Sequence, residues 1–208
     1  MTTSLPTSAP DDHTRCAWCA NVPEFLPYHD REWGFPVADD VRLFEKLSLE
    51  AFQSGLSWRT ILNKREAFRQ AFDHFDFHKV ARYGEAEVTR LLADAGIVRH
   101  RGKIEAVIHN AARAVEMQQA HGSLAAYFWR HEPTPEQLAT QLPQPLTASQ
   151  IEASVKLSKD LKRLGWKFVG PTTVFAFMQA MGLVNDHARD CVTRAAVAQA
   201  RQAFVVPR

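Results

Sequence analysis

The sequence predicts an all-α fold. From about residue 39 onward, apolar residues recur at three- and four-residue spacing, which lays one stripe along each helical segment. No stretch sustains the two-residue alternation of a strand, and there is no internal repeat. Proline and glycine sit near segment ends rather than in their middles.

Taken in order, segment 40–54 places Leu43, Phe44, Leu47 and Ala51 on one stripe. Segment 59–72 does the same with Ile61, Leu62, Ala67, Phe68 and Phe72. Segment 85–94 stops short of Gly96, which is expected as its C-cap. The longest segment, 102–120, carries Ile104, Val107, Ile108, Ala111, Val115 and Met117 on a broad face. An aromatic stretch, 124–130, precedes a proline-rich linker, 133–147, that cannot be helical throughout. Segment 148–163 is amphipathic, opening at Thr147 or Ser149, with Glu152 able to complete a capping box from Ser149. Residues 165–170, GWKFVG, form a tight hairpin, and Pro171 then suits the first turn of another apolar helix.

The length of 208 residues fits one large domain or two lobes sharing a core. No apolar run approaches the roughly 20 residues of a membrane helix, so no membrane partner is expected. The opening MTTSLPTSAPDDHTR has no apolar h-region and reads as a short disordered leader over 1–14, which makes the cytoplasm the expected compartment. With 25 basic and 23 acidic residues the net charge is only +2, which excludes a basic tail coating nucleic acid indiscriminately. Local basic groups remain: Arg99, His100, Arg101 and Lys103, then Lys159, Lys162, Arg163 and Lys167. Either could meet phosphates or be a solvated helix face. The lysine-rich helix, tight turn and following helix make a compact helix-hairpin-helix, whose turn amides could hold a phosphate.

Three cysteines argue against a disulfide framework, and nine histidines direct attention to metal spacing. Cys16 and His29 lie near the start; His187 and Cys191, an H-x3-C pair, lie near the end. On a helix that pair would share one face. Two thiolates with two imidazoles are a preferred zinc set, of the closed, structural kind. The competing local pair is Cys16-x-x-Cys19, and spacing alone leaves Cys19 and His29 as alternatives.

Several stretches together resemble DNA-3-methyladenine glycosylase I, a family of the helix-hairpin-helix glycosylase superfamily. They are Arg15-Cys16-Ala17-Trp18, YHDREWG at 28–34, LFEKLSLEAFQSGLSW at 43–58, AGIVRHRGKI at 95–104, LGWKFVGPTT at 164–173 and FMQAMGLVNDH at 177–187. The resemblance implies a two-lobed helix-hairpin-helix glycosylase fold, with a structural zinc site joining the N- and C-terminal segments. It puts the zinc ligands on Cys16, His29, His187 and Cys191. One lobe would combine 15–50 with 172–208; the other, 51–171, would hold the helix-hairpin-helix at about 160–180. The resemblance also implies a base pocket of Tyr28, Trp18, Trp58 and Glu50, with Glu50 in the catalytic role. Gly55 and Leu56 would fill the gap left by a flipped nucleotide, and Gly165, Lys167 and Gly170 would grip the backbone. The implied partner is double-stranded DNA containing 3-methyladenine, with no obligate protein partner.

These residue types suit that chemistry. A purine methylated at N3 is cationic while attached to the sugar and neutral once released, so it needs little proton assistance to leave. Aromatic faces attract a flat cation by about 0.5–2 kcal/mol each, and Glu50 can accept hydrogen bonds from the exocyclic amine. Where the wider superfamily carries V-D-x-H after its hairpin, this chain reads Val184-Asn185-Asp186-His187, so neither Asn185 nor Asp186 is assigned as a catalytic carboxylate. With no lysine nucleophile apparent, a monofunctional mechanism leaving an abasic site is expected. Glu50→Gln is expected to lower turnover while leaving the fold intact. Taken singly, Trp18, Tyr28, Trp33 and Trp58 are ordinary core aromatics and Glu50 a helix-surface carboxylate; their co-occurrence carries the functional reading. A binding-only relative, or an unrelated zinc enzyme with an open coordination position, would be the competing readings.

Overall fold

A computed structural model describes residues 14–208; all but the last position of the expected leader lies outside the described residues. The helices are α1 (Ala17–Ala20), α2 (Leu26–Arg31), α3 (Asp40–Gln53), α4 (Trp58–Ala71), α5 (Phe77–Val80), α6 (Glu85–Ala93), α7 (Arg101–His121), α8 (Leu124–Trp129), α9 (Pro135–Gln141), α10 (Glu152–Arg163), α11 (Pro171–Ala180) and α12 (Val192–Ala203). Among the described residues there is no strand, and no helix is long and apolar enough to cross a membrane.

The centre of the molecule is α3. Asp39 caps it by accepting the Arg42 amide at 2.8 Å. The expected stripe of Leu43, Phe44, Leu47 and Ala51 is buried, as is every other residue from 43 to 52. Helices α4, α7, α8 and α11 pack around it. A helix enclosed on all sides is normally apolar all round, but α3 buries Glu45, Lys46 and Glu50 as well. Those charges need partners inside the protein, and the partners build the site described below.

Several local expectations are corrected. The 133–147 linker contains α9, which Thr134 opens as N-cap, with Pro135 in the first turn and Gln137 closing a capping box. Helix α10 starts at Glu152 rather than near 148; Ser154 Oγ caps it from inside by accepting the Ile151 amide at 3.0 Å. Glu152 instead offers its amide to Gln141 Oε1 at 2.8 Å. Gly96 lies beyond the end of α6, whose C-cap is Asp94. His187 and Cys191 do not share a helix face: they flank a turn, and Cys191 is the N-cap of α12. The tail after Cys191 is helical to Ala203, held by Arg201 on Glu132 and by Phe204 against Trp129, ring centroids 4.6 Å apart.

The hairpin between α10 and α11 is tightly held. The Trp166 amide reaches back to the Leu161 carbonyl at 2.9 Å, closing the end of α10 around Gly165 at φ +86°. Buried Asn110 of α7 acts as a strand-like partner: its amide nitrogen donates to Lys167 O at 2.9 Å and its oxygen accepts from Lys167 N at 2.8 Å. Ser158 Oγ donates to Val169 O at 2.6 Å.

Candidate functional site

A cavity of about 450 Å³ opens beside α3. Trp18, Tyr28 and Trp58 line it together with Glu50, so all four residues expected in a base pocket meet there. Tyr28 and Trp58 lie 5.3 Å apart by ring centroid, and Trp18 stands edge-on to Tyr28 at 6.4 Å. Trp33, expected to be structural, does both jobs: it lines the cavity and packs against the His187 ring at 4.6 Å.

The floor is charged. Glu50 is 6% exposed, and its Oε1 lies 2.7 Å from Nζ of Lys46, one helical turn earlier and 5% exposed. The same amine donates to the Tyr28 hydroxyl at 2.7 Å and lies 3.5 Å above the Trp58 ring. Burial pushes the Tyr28 phenol up, with Glu50 and then Glu32 adding to it, so Tyr28 stays neutral. Burial pulls the Lys46 amine down, and Glu50 opposes that. Behind the rings, Arg65 holds Glu32 through contacts of 2.6 and 2.9 Å, and Arg69 holds Glu45 at 2.8 Å. The Trp58 indole N–H is buried and has no hydrogen-bond partner among the described residues.

Of the contributors that sequence reasoning missed, five bear on the chemistry of the site. Gln53 follows Glu50 by three positions, a spacing that puts both on one helix face and was legible. Phe25 and Gln179 also line the cavity, as does Leu146 from the linker. Leu146, at φ +62°, is placed by buried Asp186, whose Oδ1 accepts the Leu146 amide at 2.8 Å while Oδ2 accepts from Gln179 at 2.6 Å. Asp186 and Asn185, which donates to Arg194 O at 3.1 Å, therefore have structural duties. Lys46 is the fifth, and its local signal was only a helical i,i+4 pair with Glu50.

The turn joining α3 to α4 carries Gly55, at φ +78°, and Leu56, 41% exposed, between the cavity residues Gln53 and Ser57. Lys103, expected in a basic stripe, is buried instead: its amine donates to Phe52 O at 2.8 Å and Ser54 O at 2.5 Å, capping the end of α3. Arg101 pairs with Glu85 and Glu105, and His100 caps α7. Only Arg99 and His100 of that group are exposed without a carboxylate partner among the described residues. By contrast Lys159, Lys162, Arg163 and Lys167 are all exposed around the hairpin. Gly170 adopts φ −63° and ψ 160°, and a Cβ there would meet no protein atom within 4 Å.

Cys16, His29, His187 and Cys191 are buried together, with one ligand atom from each lying within 4.8 Å of the others. Cys16 Sγ lies 3.6 Å from His187 Nδ1; Cys191 Sγ lies 3.5 Å from both His187 Nδ1 and His29 Nε2. A tetrahedron with ordinary zinc–sulfur and zinc–nitrogen bonds has sulfur–nitrogen edges of roughly 3.6 Å, so these residues fit that group. Outer partners fix both rings: His29 Nδ1 donates to Asp30 Oδ1 at 2.7 Å, and His187 Nε2 donates to Trp33 O at 3.0 Å. Arg15 braces Asp30 in turn at 2.9 Å. Burial pushes the Cys16 thiol up to about 12 and the His187 imidazole down to about 4. Cys19 stands outside the set, its Sγ donating to Cys16 O at 3.1 Å.

The family model for methyladenine glycosylase matches residues 18–195. DNA-3-methyladenine glycosylase 1 of Escherichia coli K12 is 47% identical over 180 residues, covering 85% of this chain and 95% of the relative. A crystal structure of 3-methyladenine DNA glycosylase I superposes with a TM-score of 0.78 at 43% identity, covering 86% of this chain and 98% of the other. A variant of such an enzyme solved in complex with 3-methyladenine gives 0.77 at 37% identity, covering 86% and 96%.

Proposed function

The chain belongs to the methyladenine glycosylase family, and on that footing we propose how its own residues carry out the reaction. It is a DNA glycosylase of base-excision repair that hydrolyses the N-glycosidic bond of 3-methyladenine in alkylated double-stranded DNA. The observation that carries this reading is the aromatic cavity with a buried carboxylate in its floor. A flipped 3-methyladenine stacks among Trp18, Tyr28 and Trp58, and Glu50 accepts hydrogen bonds from its exocyclic amine.

The methylated base is already a good leaving group, so the protein's task is to extrude, orient and hold it. Leu56 enters the stack in its place and offsets part of the unstacking cost. The hairpin binds the backbone through the amide at Gly170, with Lys167 adding charge, while Gly165, whose amide is spent on Lys162 O at 3.0 Å, serves the turn through its φ of +86°. Lys46 does not line the cavity and is engaged by Glu50 and Tyr28, so it is no nucleophile. Water attacks the sugar, the electron pair of the broken bond leaves with the base, and an abasic site remains.

Zinc at Cys16, His29, His187 and Cys191 would supply structure, tying the N-terminal segment to the start of α12. A complete protein ligand set leaves no open position for substrate. The two-lobed division, 15–50 with 172–208 against 51–171, belongs to the same reading, with the cavity between them.

The test is release of free base from alkylated duplex DNA, resolved so that N3- and N7-methylpurines separate. Selective release of 3-methyladenine is expected. No release from folded, zinc-loaded protein would leave a DNA-binding relative without chemistry.

A further inference from the structure

One buried cation touches three of the four residues assigned to the base. The Lys46 amine is 2.7 Å from the Glu50 carboxylate, 2.7 Å from the Tyr28 hydroxyl and 3.5 Å above the Trp58 ring. The other charges on that side cancel in pairs, Glu32 with Arg65 and Glu45 with Arg69. Arg42, at the outer edge, is exposed. Lys46 is therefore left as the counter-charge of Glu50.

This matters because the base changes charge as it leaves. Before cleavage the methylated purine is a cation; as the bond to the sugar breaks, its electron pair stays on the base and positive charge passes to the sugar. A lone carboxylate in the floor would attract the charged nucleobase most strongly in the ground state. Such binding does not help departure, since only interactions that strengthen toward the transition state accelerate the step. Neutralised from behind, the carboxylate keeps its hydrogen-bond acceptors while losing most of its net charge. A cation on the far side of the Trp58 ring likewise weakens that ring's pull on a second cation.

Resting on the base-pocket reading above, we propose that Lys46 is a positioning residue that neutralises Glu50 and biases the pocket from the cationic nucleobase toward the neutral leaving base. The same amine holds the Tyr28 hydroxyl as an acceptor, which fixes the direction of the phenolic proton away from Lys46.

The test is calorimetric titration of the full, zinc-loaded chain at mildly alkaline pH with two probes. One is neutral 3-methyladenine; the other is a 3,9-dialkylated adenine, which carries a permanent positive charge. Lys46→Met and Lys46→Gln should shift the affinity ratio toward the cation by about tenfold or more, whereas Lys46→Arg should preserve it. Lys46→Gln retains a donor for Glu50 and Tyr28, so it answers the question even if Lys46→Met does not fold. If both affinities fall together and the ratio stays fixed, Lys46 only supports the pocket's shape and the proposal is overturned. Failure of the unsubstituted protein to bind either probe would instead remove the base-pocket reading, and this inference with it.

Discussion

Glu50→Gln removes one charge from a pair in which both side chains are almost wholly enclosed, 2.7 Å apart. Deleting one member of a buried pair costs about 3–5 kcal/mol when the other is stranded. Here the glutamine oxygen still accepts from Lys46, and the Tyr28 hydroxyl remains, so the cost falls to about 2–3 kcal/mol. For a chain of this length each kcal/mol moves the melting temperature by about 2–4 °C, which predicts a Tm lower by roughly 4–12 °C. This revises the expectation from sequence that the substitution spares the fold. The pH dependence gives a second handle. Burial already holds the Lys46 amine below its ordinary 10.5, and Glu50 is the main group raising it. A base whose folded pKa lies below its unfolded one gains stability as pH rises through the folded value, and is fully relieved above the unfolded value. Without Glu50 the folded value drops further, so relief begins at lower pH. The Tm deficit of Glu50→Gln should therefore narrow between neutral pH and about pH 10. Circular dichroism melts across that range decide it; equal Tm values at neutral pH, or a deficit that does not narrow, would refute the buried-pair argument.

Three further outcomes are expected. Cys191→Ser should abolish stoichiometric zinc, measured by elemental mass spectrometry, and lower Tm; full zinc content with unchanged melting would remove Cys191 from the ligand set. Gly170→Ala has open space and permissive backbone angles, so stability should change by less than about 1 kcal/mol while duplex affinity falls severalfold in a filter-binding assay. Unchanged affinity would mean no phosphate approaches that amide. Lys103→Met strips the Phe52 and Ser54 carbonyls of their donor and should cost about 2–4 kcal/mol in urea unfolding. It should also slow excision by loosening the Gly55–Leu56 turn, and an unaffected unfolding midpoint would argue against the clamp.

What could be read in advance follows from how local each signal is. The stripe of Leu43, Phe44, Leu47 and Ala51 announces α3 because helical period is written into adjacent turns. The second face of α3 was hidden, because Lys46 and Glu50 at i,i+4 look the same on a solvated helix as in a sealed one; only α4, α11 and the rings from α1 and α2 decide which. Lys103 failed for the same reason: a charge beside Arg99 and Arg101 reads as part of a basic run until the open end of α3 is found against it. Leu146 had no local signal at all, since its place in the cavity depends on Asp186, forty residues later. Helix α9, by contrast, was legible in Thr134-Pro135-Glu136-Gln137, where a cap, a first-turn proline and a box partner outweigh the proline-rich setting. The H-x3-C spacing singled out His187 and Cys191 although its helical rationale was wrong, because a tight turn can bring the ends of a five-residue stretch together as a helix does. Buried polar groups drew most of the errors here, and they also build the cavity floor, brace the Gly55–Leu56 turn and surround the Cys/His cluster. In this chain the places where local rules fail are the places that line and brace the candidate site.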